Sequence, residues 1–199
     1  SNDNIIIGGG FSNFGVQIAF LAKLNTDATA ITWQHTFTAD SSFSNIHALE
    51  VDFNDDIIVV GSAEVVSQAN GGDITNEQIL VAKVSAAGSE VWQKVLQLDI
   101  ESSGEGYGLS LDSIGNIYVT GTYYVDSGEQ NFWSGRKSNA VVVLKMTTAG
   151  VVAWDRRVGP GECSWVGVST AVGEDGTILH TLNGGVTYVG IASSQNKPS

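Results

Sequence analysis

Acid–base or nucleophilic chemistry in this chain would have to come from three histidines, a single cysteine and scattered carboxylates, and their spacing does not gather them. His35, His47 and His180 fall at three different positions when the internal repeats of the chain are superposed. His35 stands where Lys94 and Arg156 stand in later copies, which predicts a solvated face. His47 aligns with Tyr107 and Val168, and His180 with Val59 and Val119, which predicts packing positions. No Ser or Cys occupies a recognisable nucleophile turn, so a hydrolytic triad has little support. Cys163 is the only cysteine, which excludes an intrachain disulfide and any multi-cysteine zinc or iron–sulfur site.

Residue types suited to binding are better represented. Trp33, Trp92 and Trp154 recur at regular intervals, and flat aromatic faces so spaced could stack on a repeating carbohydrate. The plainer reading is that each covers the gap between neighbouring units as an amphipathic anchor. Tyr123, Tyr124, Phe132, Trp133 and Arg136 crowd the stretch 123–138 and are the residue types that anchor protein interfaces. The acidic turns 52–56 and 173–177 offer clustered oxygens of the kind that hold calcium. They lack the full Asp-x-Asp-x-Asp-Gly…Glu loop, and Asp, Asn and Gly are ordinary turn residues, so no cofactor and no metal is expected, calcium being the one candidate. Lys23, Lys83 and Lys145 hold equivalent positions, as do Asp52 and Asp112, with Gly173 in the third copy. Such Lys–Asp pairs could fix the register of one unit against the next. Repetition itself argues against catalysis, which needs one singular constellation.

The elements that position these residues are set by the repeat. Short apolar runs restart at Ile5, Ile57, Ile117 and Ile178, a period of about 50 to 60 residues, as in an array of one supersecondary unit. In the first three copies the run is followed by an apolar stretch carrying the lysine, a small polar turn, and the tryptophan. Segments such as 78–84, 91–98, 107–112 and 117–121 are short, rich in β-branched residues and bounded by Gly, Asn, Asp or Ser, which predicts strands. The turns 52–56, 112–116 and 173–177 predict a hairpin between first and second strands, and 85–89 and 147–150 one between third and fourth. Each unit is therefore expected to be a four-stranded antiparallel meander, and such sheets at this period usually stack radially as propeller blades. The link between second and third strands varies from 11–17 through 64–77 to 123–138, and length variation on one face is how an array builds a binding surface.

The combination of Asn116-Ile-Tyr-Val-Thr-Gly121 after a turn, Leu80-Val-Ala-Lys-Val84, and Ser85-Ala-Ala-Gly-Ser-Glu-Val-Trp92-Gln-Lys94 resembles the bacterial β-propeller repeat often called SBBP. The resemblance runs from Asn4 to about Gly190 and is best in the second and third copies. The first copy lacks its innermost strand, and the last has Leu182 where the others have Gly61 and Gly121. It implies an all-β fold of four-stranded antiparallel blades in a secreted or surface-associated protein, and supplies no catalytic residues. The turn before each Trp shares only fragments, Asn25-Thr-Asp27 and Ala149-Gly150, with the quinoprotein dehydrogenase repeat.

Residues 1–199 are thus expected to form one propeller-like repeat domain with units at about 4–45, 46–105, 106–163 and 164–199. A closed ring needs about 4 to 8 blades, so this partial propeller is expected to be completed by further sequence or a second copy. A net charge of −12 with nine scattered basic residues leaves no footprint for nucleic acid, and the longest apolar run, 140–144, is too short for a membrane helix. Ser1-Asn-Asp-Asn carries no leader pattern, so a leader would be already removed or lie upstream. The reading is a non-catalytic extracellular or surface module for binding or assembly: a structural subunit of an appendage or filament, or an adhesin-like domain. A protein partner or self-association is expected, with carbohydrate as a further ligand class and no nucleic acid or membrane insertion. The alternative is a fragment of an enzyme propeller, quinoprotein-like or hydrolytic, whose active residues lie in other blades.

Overall fold

The computed structural model describes residues 4–13, 16–37, 44–69, 72–97, 102–125, 138–158, 166–173, 177–183 and 191–192. Within them, alternation of apolar and polar residues yields strands throughout and no helix. The first sheet holds β1 (Ile5–Asn13), β2 (Val16–Leu24) and β3 (Ile31–Phe37) in that order. The second holds β4 (Ser44–Val51), β5 (Ile57–Ala69), β6 (Gly72–Val84) and β7 (Glu90–Leu96). The third holds β8 (Ser102–Leu111), β9 (Ile117–Val125), β10 (Ser138–Met146) and β11 (Val152–Val158), and the fourth β12 (Val166–Val172), β13 (Thr177–Asn183) and β14 (Ile191–Ala192). Among the described residues every pairing is antiparallel between chain neighbours, and no sheet closes on itself.

Turn chemistry fixes the hairpins. Asp52 Oδ1 accepts from the amides of Asn54 and Asp56 at 2.8 and 3.0 Å, and Asp112 Oδ1 from those of Ile114 and Asn116 at 3.1 and 2.8 Å. These carboxylates replace the missing backbone partners of a tight turn. The left-handed position in each falls on Asp55 (φ 62°) and Gly115 (φ 82°). The connection between second and third strands is shorter than the sequence suggests. Residues 64–77 were expected as loop, yet Glu64 pairs with Glu77 and the ladder continues to Ala69 opposite Gly72. The β-branched residues Val65, Val66, Ile74 and Thr75 extend the ribbon beyond the core of the sheet.

The sheets pack face on face in chain order. Ala19, Leu21 and Phe37 of the first sheet bury against Ile46, Ile57, Val59, Ala82 and Val84 of the second. Opposite-facing residues of the second, Ile58, Val60, Ile79 and Val81, bury against Leu109, Ile117, Val119, Tyr123, Val142, Leu144 and Met146 of the third. Thr120 and Thr170 hydrogen-bond between the third and fourth sheets. The first strands of successive sheets also run against one another, β4 on β8 and β8 on β12. Among the described residues no helix is long and apolar enough to cross a membrane.

Candidate functional site

The repeated tryptophans lie opposite the repeated lysines, Trp33 beside Lys23, Trp92 beside Lys83 and Trp154 beside Lys145. A bulge at each lysine and the start of a seven-residue strand place the indole at the rim of the sheet. From there Trp33 Nε1 donates to Ala86 O at 3.1 Å, and Trp92 Nε1 to Thr148 O at 3.3 Å. Each acceptor belongs to the hairpin turn of the next sheet. Each indole also lies over the left-handed glycine of that turn: a Cβ on Gly88 (φ 87°) would sit 2.7 Å from Trp33 Cδ2, and one on Gly150 (φ 75°) 3.0 Å from Trp92 Cδ2. Trp and Gly thus form one join across the sheet boundary. Trp154 stands 6.4 Å from the Tyr118 ring, with the Arg156 guanidinium 5.6 Å from its own centroid.

The lysine–aspartate pairing is local to one sheet, which corrects the expectation that it would set one unit against the next. Lys83 Nζ lies 2.8 Å from Asp52 Oδ2 and 3.0 Å from Asp56 Oδ2, clamping the β4–β5 turn onto β6 of the same sheet. Burial alone would raise the Asp52 pKa, but the Lys83 ammonium and the two turn amides outweigh it and hold the carboxyl below its ordinary range. Burial likewise opposes the charge on Lys83, and its bonds to Asp52 and Asp56 turn the net shift upward. In the third sheet Asp112 Oδ2 takes Asn116 Nδ2 at 2.7 Å and the Tyr118 hydroxyl at 3.2 Å, while Lys145 rests over the Tyr118 ring at 5.0 Å. The same lysine position therefore works as an ion pair in one sheet and as a cation–π contact in the next.

A polar cluster between the second and third sheets escapes the repeat pattern. Glu77 accepts from Ser62 Oγ at 3.1 Å, and the Tyr107 hydroxyl donates to Glu105 Oε2 at 2.6 Å. Burial and the nearby charge of Glu105, to which it is also hydrogen-bonded, push the Glu77 carboxyl up. His47 stacks on Tyr107 with centroids 4.9 Å apart, and its Nδ1 lies 2.8 Å from Gly106 O. His47 was expected at a packing position; it is exposed, because it is the bulged residue of β4, as Tyr107 is of β8. The alignment of His47 with Tyr107 carried that signal, and only the bulge converts it into a stack. His35 is half-buried, with Nε2 3.4 Å from Glu90 Oε2 of the second sheet and its ring edge-on to Phe37, where a solvated face was expected. The side chain of His180 lies outside the described residues, and among the described residues no group of His, Cys, Asp and Glu is arranged to hold a metal ion.

Of the interface candidates, Tyr123 belongs to β9 and is buried, with the Arg157 guanidinium 4.2 Å above its ring. Tyr124 is in the same strand with its side chain outside the described residues, and Phe132, Trp133 and Arg136 lie outside them altogether. Among the described residues, one group of exposed apolar side chains lies on the first sheet. Ile5, Ile7 and Phe11 project from the face of β1 turned away from the second sheet and are 38, 41 and 43 % exposed. Phe11 contacts Phe20 at 6.0 Å there. The residues at the matching ladder positions of the next two sheets, Ile57, Val59 and Ala63, and Ile117, Val119 and Tyr123, are buried. No protein-family model matches this chain, and no curated protein sequence matches it.

Proposed function

We propose that this chain is a non-catalytic, propeller-type module that binds or assembles with other protein, outside the cell or on its surface. The observation that carries the reading is the outer face of the first sheet. It has the apolar make-up of faces that the next two sheets bury, yet Ile5, Ile7 and Phe11 are open. An exposed apolar face bordered by a strand edge favours association. The groups that recur with the repeat are taken up in holding the array together: Trp33 and Trp92 in the joins, Lys83 with its aspartates, Lys145 over Tyr118. A radial, propeller-like arrangement of the SBBP kind is supported by first strands that run against one another from sheet to sheet. The test is the native mass by light scattering during size-exclusion chromatography. The parent chain is expected to associate and Ile7→Asp to run as a monomer; a parent chain monomeric at high micromolar concentration would overturn self-assembly through this face.

A further inference from the structure

From the edge of β1 we infer that the first sheet is an acceptor for a separate inner strand, an extended segment of the same chemistry as β4 and β8. In the second and third sheets the first strand pairs with the second, β4 on β5 and β8 on β9. In the first sheet, β1 takes the ladder position of β5 and β9, pairing with β2 as those strands pair with β6 and β10, and its other edge carries no strand among the described residues.

Three features of this edge match an inner strand. The first is a notch. Gly61 and Gly121 are glycines because a Cβ at either would collide with the backbone of the bulged first strand, at the carbonyls of Asn45 and Glu105. Gly9 holds the same ladder position, yet a Cβ there would meet only the Phe20 ring, at an ordinary 3.6 Å. It leaves a strand-side space that nothing among the described residues occupies. The second is a charge. In the second sheet the first strand ends at Val51 and Asp52 follows it onto Lys83 at 2.8 Å. The equivalent Lys23 pairs with no carboxylate among the described residues, and the acidic group in its cleft, Asp55, belongs to the next sheet's turn and makes no ion pair with it. The third is the neighbouring sheet. β8 packs on β4 and β12 on β8, so an inner strand on β1 would lie where the series places one, against β4. The occupant is thus an antiparallel strand with alternating apolar residues, a one-residue bulge opposite Gly9, and a carboxylate at its C-terminal end that reaches Lys23. Backbone pairing would supply affinity, and the notch and the cation would supply register.

This inference rests on reading the chain as a binding module but not on self-association, which Ile7→Asp tests separately. The probe is a synthetic peptide with the sequence of residues 44–52, Ser-Asn-Ile-His-Ala-Leu-Glu-Val-Asp. Added to the full chain, it is expected to slow hydrogen exchange at alternate β1 amides, the set pointing away from β2. Gly9→Ala and Gly9→Val should weaken binding at least tenfold, the larger side chain more, with exchange in β5, β6, β9 and β10 unchanged. A peptide ending in Asn, or Lys23→Met in the chain, should weaken it severalfold and remove its salt dependence. Binding indifferent to Gly9→Val overturns the inference, as does β1 left unprotected at millimolar peptide. A β1 edge already protected by a second copy and unresponsive to peptide overturns it too.

Discussion

Asp52 and Glu77 have oppositely shifted carboxyls, and the signs of their contributions to stability follow from their neighbours. Asp52 is held below its ordinary 3.8 by Lys83 and the turn amides despite burial, so the stability it adds is present above that value and is lost as pH falls through the lower folded one. Asp52→Asn is expected to cost about 1–3 kcal/mol at neutral pH, since it leaves a largely buried ammonium with one partner fewer. Urea melts should show that cost shrinking as pH falls below 3.8. Glu77 is shifted the other way: burial and Glu105 raise it above 4.5, so the folded state gains by holding a proton and loses that advantage as pH rises through the raised value. Glu77→Gln is therefore expected to stabilise the protein at neutral pH, by no more than ~1 kcal/mol because solvent screens a half-buried carboxyl, with the gain fading below pH 4.5. A variant less stable than the parent at neutral pH would show that the Ser62 bond outweighs the charge. The recurrence of lysine and aspartate was legible in the sequence, but their assignment to a single sheet was not. Spacing marks equivalent positions, whereas Lys83 reaches back to its own turn because β5 brings β6 beside it.

At the scale of the element, the hairpins were the most legible part of the chain, because Asp, Asn and Gly at fixed offsets leave the backbone few alternatives. Strand extents were less so. The polar residues of 64–69 and 72–77 look loop-like in sequence, yet they pair as a two-stranded ribbon from Glu64 opposite Glu77 to Ala69 opposite Gly72. The bulges were not legible at all, since a bulge is a mismatch in count between two strands and shows only when they are paired. Their consequence is testable. Gly61→Ala must displace the β4 backbone and is expected to cost about 3 kcal/mol or more, whereas Gly9→Ala, at the matching position where no strand among the described residues lies on that side, should fall within ~1 kcal/mol of the parent. Equal costs in thermal melts would mean that Gly61 is not held by the approach of β4.

At the scale of the whole molecule, each sheet touches its chain neighbours, so stability is expected to behave as a sum of sheets and joins and need not melt as one unit. The joins differ. Among the described residues, the core between second and third sheets has eleven buried side chains and that between first and second has eight, which makes the first sheet the more weakly held. The first sheet also carries the open face of β1, which lowers the cost of its departure. The order of joins was visible in the repeat, but their relative strength was not, because it depends on how many side chains meet across a boundary that sequence does not draw. Trp33→Ala removes the indole that spans the weaker boundary, along with its bond to Ala86, and is expected to cost about 3 kcal/mol at that join. Native-state hydrogen exchange should then show β1–β3 opening well before global unfolding, with β9 and β10 as protected as in the parent. Trp92→Ala should loosen the stronger boundary instead, so that the first and second sheets lose protection together. If Trp33→Ala lowered protection evenly across all four sheets, the array would be one cooperative unit, and the joins would transmit stability as fully as the cores they span.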